Sequence, residues 1–98
     1  MRYRIELTRA ARRGLASAPR NIIKRLDTCI LKLAEEPYPR GCVKLRGSED
    51  FWRVRVGSYR IIYHVEDELL VIVIVKVGPR KDVYSSSTSS KALKRLPS

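Results

Sequence analysis

The feature that most restricts the fold is a pair of alternating segments, "FWRVRV" and "YRIIYHVE", joined by Gly57-Ser58. Alternation of apolar and polar residues with a period of two is typical of a β-strand with two different faces. Gly-Ser between two such runs is a signal for a two-residue hairpin turn. The sequence therefore predicts two antiparallel strands, 51–56 and 59–66.

A two-residue turn also fixes the register, because it places Arg55 opposite Arg60. Side chains alternate between faces, so Arg53, Arg55 and Arg60 are predicted to share one face. Like charges directly opposite each other repel. Such a face is either solvated, which tolerates the repulsion, or it binds an anion such as phosphate, whose geometry guanidinium groups match. The pattern favours the anion, provided that the turn does not contain three residues, which would shift the register.

The remaining elements follow from periodicity and from start and stop signals. In chain order they are a strand over 2–7, a helix capped by Thr8 and running to Ala16, a helix over 20–36 with Pro19 at its first position and Pro37 after it, a short strand over 43–45, and a strand over 69–77 that Gly78-Pro79 ends.

These elements define an α+β fold in a single domain over residues 1–98. An N-terminal strand and two helices precede a three- to four-stranded, mostly antiparallel sheet, with both helices on one sheet face. The run "LLVIVIVKV" is apolar on both faces, so we expect it inside the sheet. Residues 85–98 are predicted to be a mobile tail or a short C-terminal helix. With 98 residues and 44% hydrophobic residues, the chain can form one modest core.

The charge of the chain favours polyanionic partners. Lys and Arg total 21 against 10 Asp and Glu, a net charge of +11. Nucleic acid is the first expectation, an acidic protein the second and an anionic membrane the third. No segment has the length of a secretory signal or a membrane span, so we expect a cytoplasmic protein. Cys29, Cys42 and the single His64 do not form a metal-binding pattern, and we expect no cofactor.

Residues 44–84 resemble the RelE branch of the RelE/ParE toxin superfamily, the toxins of toxin–antitoxin pairs. The resemblance is carried by "KLRG", "YRIIY", the acidic turn, the apolar strand and "VGPRKDVY". It implies a metal-independent endoribonuclease that enters the ribosomal A site, cuts mRNA there and arrests translation. It also implies a cognate RelB-like antitoxin as partner, with no membrane involved.

The resemblance further implies which residues act. The implied catalytic residues are Arg53, Arg55, Arg60, Arg80 and Tyr84. Apart from the resemblance, Lys44, Arg46 and Lys81 are candidate RNA-binding residues, and a general RNA footprint is formed by Lys44 and Arg46 with the helix cations Arg12, Arg13, Lys24, Arg25 and Lys32. For each single lysine, an ordinary solvated surface position is the favoured alternative. Well-studied relatives carry lysines where this chain has Arg53 and Arg55. Arginine binds phosphate well and is a poor proton donor. His64, predicted opposite Phe51 on the arginine side, is a less favoured candidate for proton transfer.

Three alternatives remain open from the sequence. The first is a ParE-type poison of DNA gyrase, which shares the fold. The second is a non-catalytic basic module that binds nucleic acid. The third is an inactive toxin retained for its partner, because arginines replace the lysines of its relatives.

Overall fold

The mixed sheet joins the beginning of the chain to its later part. The computed structural model describes residues 2–45 and 51–79. Within these residues the elements are β1 (Arg4–Leu7), α1 (Arg9–Ser17), α2 (Arg20–Glu35), β2 (Val43–Lys44), β3 (Phe51–Val56), β4 (Tyr59–Glu66) and β5 (Val71–Pro79). Their order in the sheet is β1-β5-β4-β3-β2. Only the β1–β5 pair is parallel among them. The predicted α+β class is confirmed.

The hairpin has the predicted bounds and register. Arg55 lies opposite Arg60, and Val56 lies opposite Tyr59. Gly57 has φ 60, which suits the first turn position of a type II′ hairpin and favours glycine there. The turn therefore contains two residues, as the sequence predicted.

Strand β5 is interior, as predicted, but its bounds were wrong. It lies between β1 and β4 and begins at Val71 rather than Leu69. The reason is a longer turn: the amide of Leu69 donates to the carbonyl of Glu66 at 3.2 Å, and Leu70 takes φ 55. At the other end the strand continues through Pro79, since a proline at a strand end removes no required ladder hydrogen bond.

Both helices pack on one face of the sheet and form the main core. The α2 side chains Leu26 and Leu33 are fully buried, and so are Ile61 and Ile74 from the sheet. Thr8 caps α1 as predicted: its Oγ1 accepts from the amide of Ala11 at 3.1 Å. Neither helix of the described residues is long and apolar enough to cross a lipid bilayer.

The other helix and strand ends differ slightly from the prediction. Pro19 is the N-cap of α2 rather than its first helical residue, and α2 ends at Glu35, one residue early. Strand β1 starts at Arg4 instead of Arg2, and β2 ends at Lys44. The predicted segment 85–98 lies outside the described residues.

Helix α1 touches the backbone of β5 at Gly14. A Cβ atom on Gly14 would lie 1.9 Å from the carbonyl oxygen of Val77. Glycine lowers helix propensity in general, but here it permits the close approach of the helix to the sheet. Tertiary packing therefore explains a residue that looked unfavourable in the sequence.

We expect Gly14→Ala to destabilise the fold, although alanine is the better helix former. The added Cβ has no room beside a backbone carbonyl, and overpacking of this kind costs about 1–3 kcal/mol or more. Ser17→Ala, an exposed position of the same helix, is the control and should leave stability nearly unchanged or slightly higher. Thermal unfolding measures both variants. A Gly14→Ala melting temperature equal to or above that of the wild type would contradict the close contact.

A tyrosine pair holds the segment after α2 against the β4–β5 turn. The Asp67 carboxylate accepts from the Tyr3 hydroxyl at 2.8 Å and from the Tyr38 hydroxyl at 3.0 Å. The Tyr38 ring also packs edge-on against Trp52, with 4.9 Å between centroids. Burial, followed by the hydrogen bond to Asp67, raises the pKa of Tyr38 to about 12.

This shift predicts a loss of stability at alkaline pH. In the unfolded chain Tyr38 ionises near pH 10.0, whereas in the folded protein it stays neutral up to about 12. Its contribution to stability is therefore complete below pH 10.0 and is lost as pH rises towards 12. Urea unfolding at several pH values should show a shallower alkaline loss for Tyr38→Phe than for the wild type. Parallel pH profiles for the two proteins would refute this assignment.

Candidate nucleic-acid interface

The sheet face opposite the helices carries the predicted arginines. Arg53, Arg55 and Arg60 lie on this face, which we call the arginine face, because the β3–β4 register places Arg53 opposite Ile62 and Arg55 opposite Arg60. Arg55 is exposed, Arg53 is partly buried and Arg60 is buried. The predicted sharing of one face by these three side chains is confirmed.

Arg60 is an unusual member of this group because it is only 4% exposed. It lies in the middle strand of the sheet, between Arg55 on β3 and Gly78 on β5. Its Nη1 donates to the carbonyl of Tyr59 over a long 3.4 Å. Its Nε is buried and has no hydrogen-bond partner among the described residues. A buried donor without a partner costs free energy, so its presence calls for an explanation.

Carboxylates do not neutralise the arginine pair within the described part of the chain. The ion pairs there join Arg2 to Glu35 and Arg4 to Glu6, and the Glu66 carboxylate is in contact with the His64 ring. Neither Arg55 nor Arg60 takes part in one. The positive charge of the cross-strand pair is therefore available to an anion.

The other end of this face is apolar and holds His64. Phe51, Ile62 and Val75 form a second buried cluster there. His64 is 5% exposed, lies opposite Phe51 as predicted, and has its Nε2 2.5 Å from Oε1 of Glu66. Four strand positions separate it from Arg60, about 13 Å at roughly 3.3 Å per residue. The histidine thus belongs to the apolar end rather than to the Arg55–Arg60 pair.

Of the remaining predicted residues, the structure describes Lys44, which lies on the other face of the sheet. Lys44 pairs with Trp52, which packs on the helix side of the sheet. Its Nζ lies 6.0 Å from the centre of the Trp52 ring. Arg46, Arg80, Lys81 and Tyr84 lie outside the described residues.

A basic groove runs between α2 and the end of β3, and sequence reasoning did not find it. We call it the α2 groove. Its volume is about 430 Å³, and it is lined by Lys24, Arg25, Thr28, Cys29, Lys32, Arg55 and Val56. The sequence signal was present, since Lys24, Thr28 and Lys32 recur every four residues and so share one helix face. What the sequence did not show is that this helix face lies beside Arg55.

The two cysteines of the chain are not paired with each other. Cys29 and Cys42 are free thiols, and burial raises the pKa of Cys29 despite the nearby charge of Lys32. Among residues 2–45 and 51–79, no three His, Cys, Asp or Glu side chains come together in a way that could hold a metal ion.

The described domain is a small α+β fold with helices on one sheet face and a group of arginines on the other. Comparison with known proteins gives the family. The model of the ParE toxin of type II toxin–antitoxin systems, parDE, matches residues 5–84. This chain belongs to that toxin family, within the RelE/ParE superfamily, and its relatives are RelE-type toxins.

Two relatives and one solved structure illustrate the similarity. Toxin RelG of Mycobacterium tuberculosis is 32% identical over 85 residues, which cover 86% of this chain and 98% of that protein. The mRNA interferase toxin RelE of Escherichia coli K12 is 38% identical over 55 residues, covering 54% of this chain and 55% of that protein. The archaeal RelE–RelB complex from Pyrococcus horikoshii contains a chain that is 35% identical with a TM-score of 0.72, covering 82% of this chain and 97% of that chain.

The buried guanidinium predicts an increase in stability when it is removed. We expect Arg60→Met to raise the free energy of unfolding by about 1–2 kcal/mol, since an apolar side chain needs no partner for Nε. Arg55→Met, the exposed partner across the strand pair, should change it by less than about 0.5 kcal/mol. Chemical denaturation measures both. Clear destabilisation by Arg60→Met would mean that the guanidinium is well satisfied in the folded protein.

Proposed function

We propose that this chain is an endoribonuclease toxin that cuts mRNA in the ribosomal A site without a bound metal and so arrests translation. The observation that carries the proposal is the buried Arg60 with its unpartnered Nε, beside Arg55 on the same face. Positive donors fixed in a site of low dielectric are the means by which enzymes stabilise developing negative charge. The similarity to a relative named mRNA interferase toxin supports the same conclusion.

The proposed reaction uses the RNA's own ribose. The 2′-hydroxyl loses its proton and its oxygen attacks the neighbouring phosphorus, while the bond from phosphorus to the 5′ oxygen breaks. The leaving 5′ oxygen takes a proton from solvent water, giving a 5′-hydroxyl end and a 2′,3′-cyclic phosphate. Negative charge grows on the nonbridging oxygens during the attack. Holding the attacking and leaving oxygens in line contributes further to the rate.

The arginines divide this work according to their burial. Arg55, which is exposed, first binds the phosphate and brings it to the face. Arg60 then donates to a nonbridging oxygen through its Nε, which has no other partner among the described residues. Because Arg60 is 4% exposed in the free chain, binding requires a local opening of this part of the face. Arg53 lies two residues along β3 from Arg55 and binds the adjacent part of the backbone.

Proton transfer falls to residues outside the arginine pair. A guanidinium remains charged at any accessible pH and is a poor acid. We assign Arg80 to charge stabilisation. We assign Tyr84, acting as a phenolate that the cations Arg80 and Lys81 favour, to proton removal from the 2′-hydroxyl, as the family resemblance implies. Arg46 and Lys81 contact the RNA backbone in this proposal, and Lys44 contacts it from the sheet edge.

The proposed protein partner is an antitoxin. A RelE relative was solved together with RelB, and an acidic or amphipathic segment of such a partner would complement the basic surface of this chain. The cytoplasm, where ribosomes and their messages meet, is the proposed place of action.

Loss of Arg60 should separate activity from folding. We expect Arg60→Met to reduce mRNA cleavage on programmed ribosomes by on the order of 100- to 1,000-fold, as removal of one donor to a developing oxyanion does. Growth arrest on induction should disappear with it, and Arg80→Ala should behave alike. Arg9→Gln, an exposed change on α1, is the control and should cut normally. Mapping RNA 5′ ends after induction reads out the cleavage.

The same induction experiment tests the principal alternative. The matching family model is that of a ParE toxin, so a gyrase poison is the second candidate. Codon-phased RNA breaks that depend on Arg60 support the endoribonuclease. Loss of DNA supercoiling without RNA breaks would overturn it, and so would full cleavage by a folded Arg60→Met variant.

A further inference from the structure

The α2 groove concentrates positive charge on an apolar floor. Four of its seven lining residues are cationic (Lys24, Arg25, Lys32 and Arg55), and its lining includes no acidic residue. None of the four forms an ion pair with a carboxylate among the described residues. Such a concentration of unneutralised charge attracts anions and raises their local concentration.

The groove is built by tertiary contact rather than by one helix. The Arg25 guanidinium lies against the hairpin turn, with Nη1 3.1 Å from the point where a Cβ on Gly57 would be. Val56 is buried and Cys29 is partly buried beneath the cations. The Thr28 hydroxyl donates to the carbonyl of Lys24 at 3.0 Å, which holds it on the helix surface.

Arg55 belongs to both the groove and the arginine face. It lies opposite Arg60 across the hairpin, and it also lines the groove beside α2. Positive charge is therefore continuous from the proposed cleavage site, around the end of β3, to helix α2. A polymer with one phosphate per residue can use this whole path at once, whereas a short acidic peptide would fill only the groove.

The groove also has the dimensions and surface that a nucleotide needs. About 430 Å³ lies within the range of small-ligand sites, roughly 300–1,000 Å³. A base or ribose can rest on the floor formed by Val56 and Cys29, while the surrounding cations bind phosphate. Lysine and arginine contacts of this kind position RNA without reading its sequence.

We propose that the α2 groove binds the RNA strand next to the scissile phosphate, as a second phosphate-binding site that Arg55 connects to the arginine face. This inference rests on the proposed function for the position of the scissile phosphate. Its chemistry, single-stranded RNA held through its backbone in the groove, can be tested without any cleavage.

The test compares two variants of equal net charge. The groove variant carries Lys24→Gln, Arg25→Gln and Lys32→Gln, and the control carries Arg9→Gln, Arg20→Gln and Arg40→Gln, three exposed cations outside the groove. The probe is a fluorescent 12-nucleotide RNA with 2′-O-methyl riboses, which cannot be cut. Anisotropy titrations over a range of salt give the affinity and its salt dependence, and circular dichroism verifies that each variant is folded.

We expect the groove variant to lose about 2 from the slope of log K against log salt, since each lost phosphate contact removes about 0.7 for single strands. At 0.1 M salt this corresponds to an affinity lower by on the order of 100-fold. The slope for the control should change by less than about 0.7, the value of one phosphate contact. Equal losses in the two variants would overturn the proposal, because the effect would then belong to net charge alone. The same titrations with poly-glutamate test an acidic protein segment as the ligand. A groove variant that keeps its affinity for RNA but loses its affinity for poly-glutamate would overturn the proposal in favour of that segment.

Thiol labelling of the wild-type protein gives an independent reading. Cys29 lines the groove and Cys42 does not, so the 12-nucleotide RNA should slow maleimide labelling of Cys29 at least several-fold relative to Cys42. Equal rates with and without RNA would refute occupation of the groove. If the protein binds RNA in the groove but cuts no mRNA, the groove site is supported and the proposed function is refuted. If the protein cuts mRNA but the groove variant binds RNA as tightly as the wild type, the groove site is refuted and the proposed function is supported.

Discussion

The hydrogen-bonded register between β3 and β4 determines the chemistry of this protein. Because side chains alternate along a strand, the register that buries Val54 and Ile61 against the helices must place Arg55 and Arg60 on the opposite face. A slip of one residue would move guanidinium groups into the main core, where an unpaired charge costs several kcal/mol. The two-residue turn at Gly57 disfavours that slip, because its geometry selects the observed pairing of β3 with β4.

Burial then distinguishes the arginines that share this face. Arg60 lies in the middle strand, between Arg55 and Gly78, and is only 4% exposed. A buried donor without a partner lowers stability, and proteins retain such features mainly where they bind or react. Arg55 remains in solvent at the end of β3, where it meets helix α2. One strand pair thus carries both an exposed and a buried guanidinium.

The helices contribute more than a cover for the sheet. Gly14 allows α1 to touch the backbone of β5, and α2 brings Arg25 against the hairpin turn. The Tyr3–Asp67–Tyr38 contacts hold the segment that leaves α2 close to the β4–β5 turn. These contacts link elements that are distant in sequence, and they fix the position of the α2 cations relative to the arginine face. This arrangement extends the basic surface beyond a single sheet face.

The sequence alone determined the α+β class, the two helices, the hairpin with its register and the common face of Arg53, Arg55 and Arg60. These depend on local periodicity, helix caps and turn chemistry, which are set by residues close together in the chain. Only the tertiary structure decided that Arg60 is buried, that Lys44 faces the helix side with Trp52, and that α2 meets Arg55 in a groove. It also decided why Gly14 is glycine. Burial and juxtaposition result from packing between distant segments, and no local pattern in the chain encodes them.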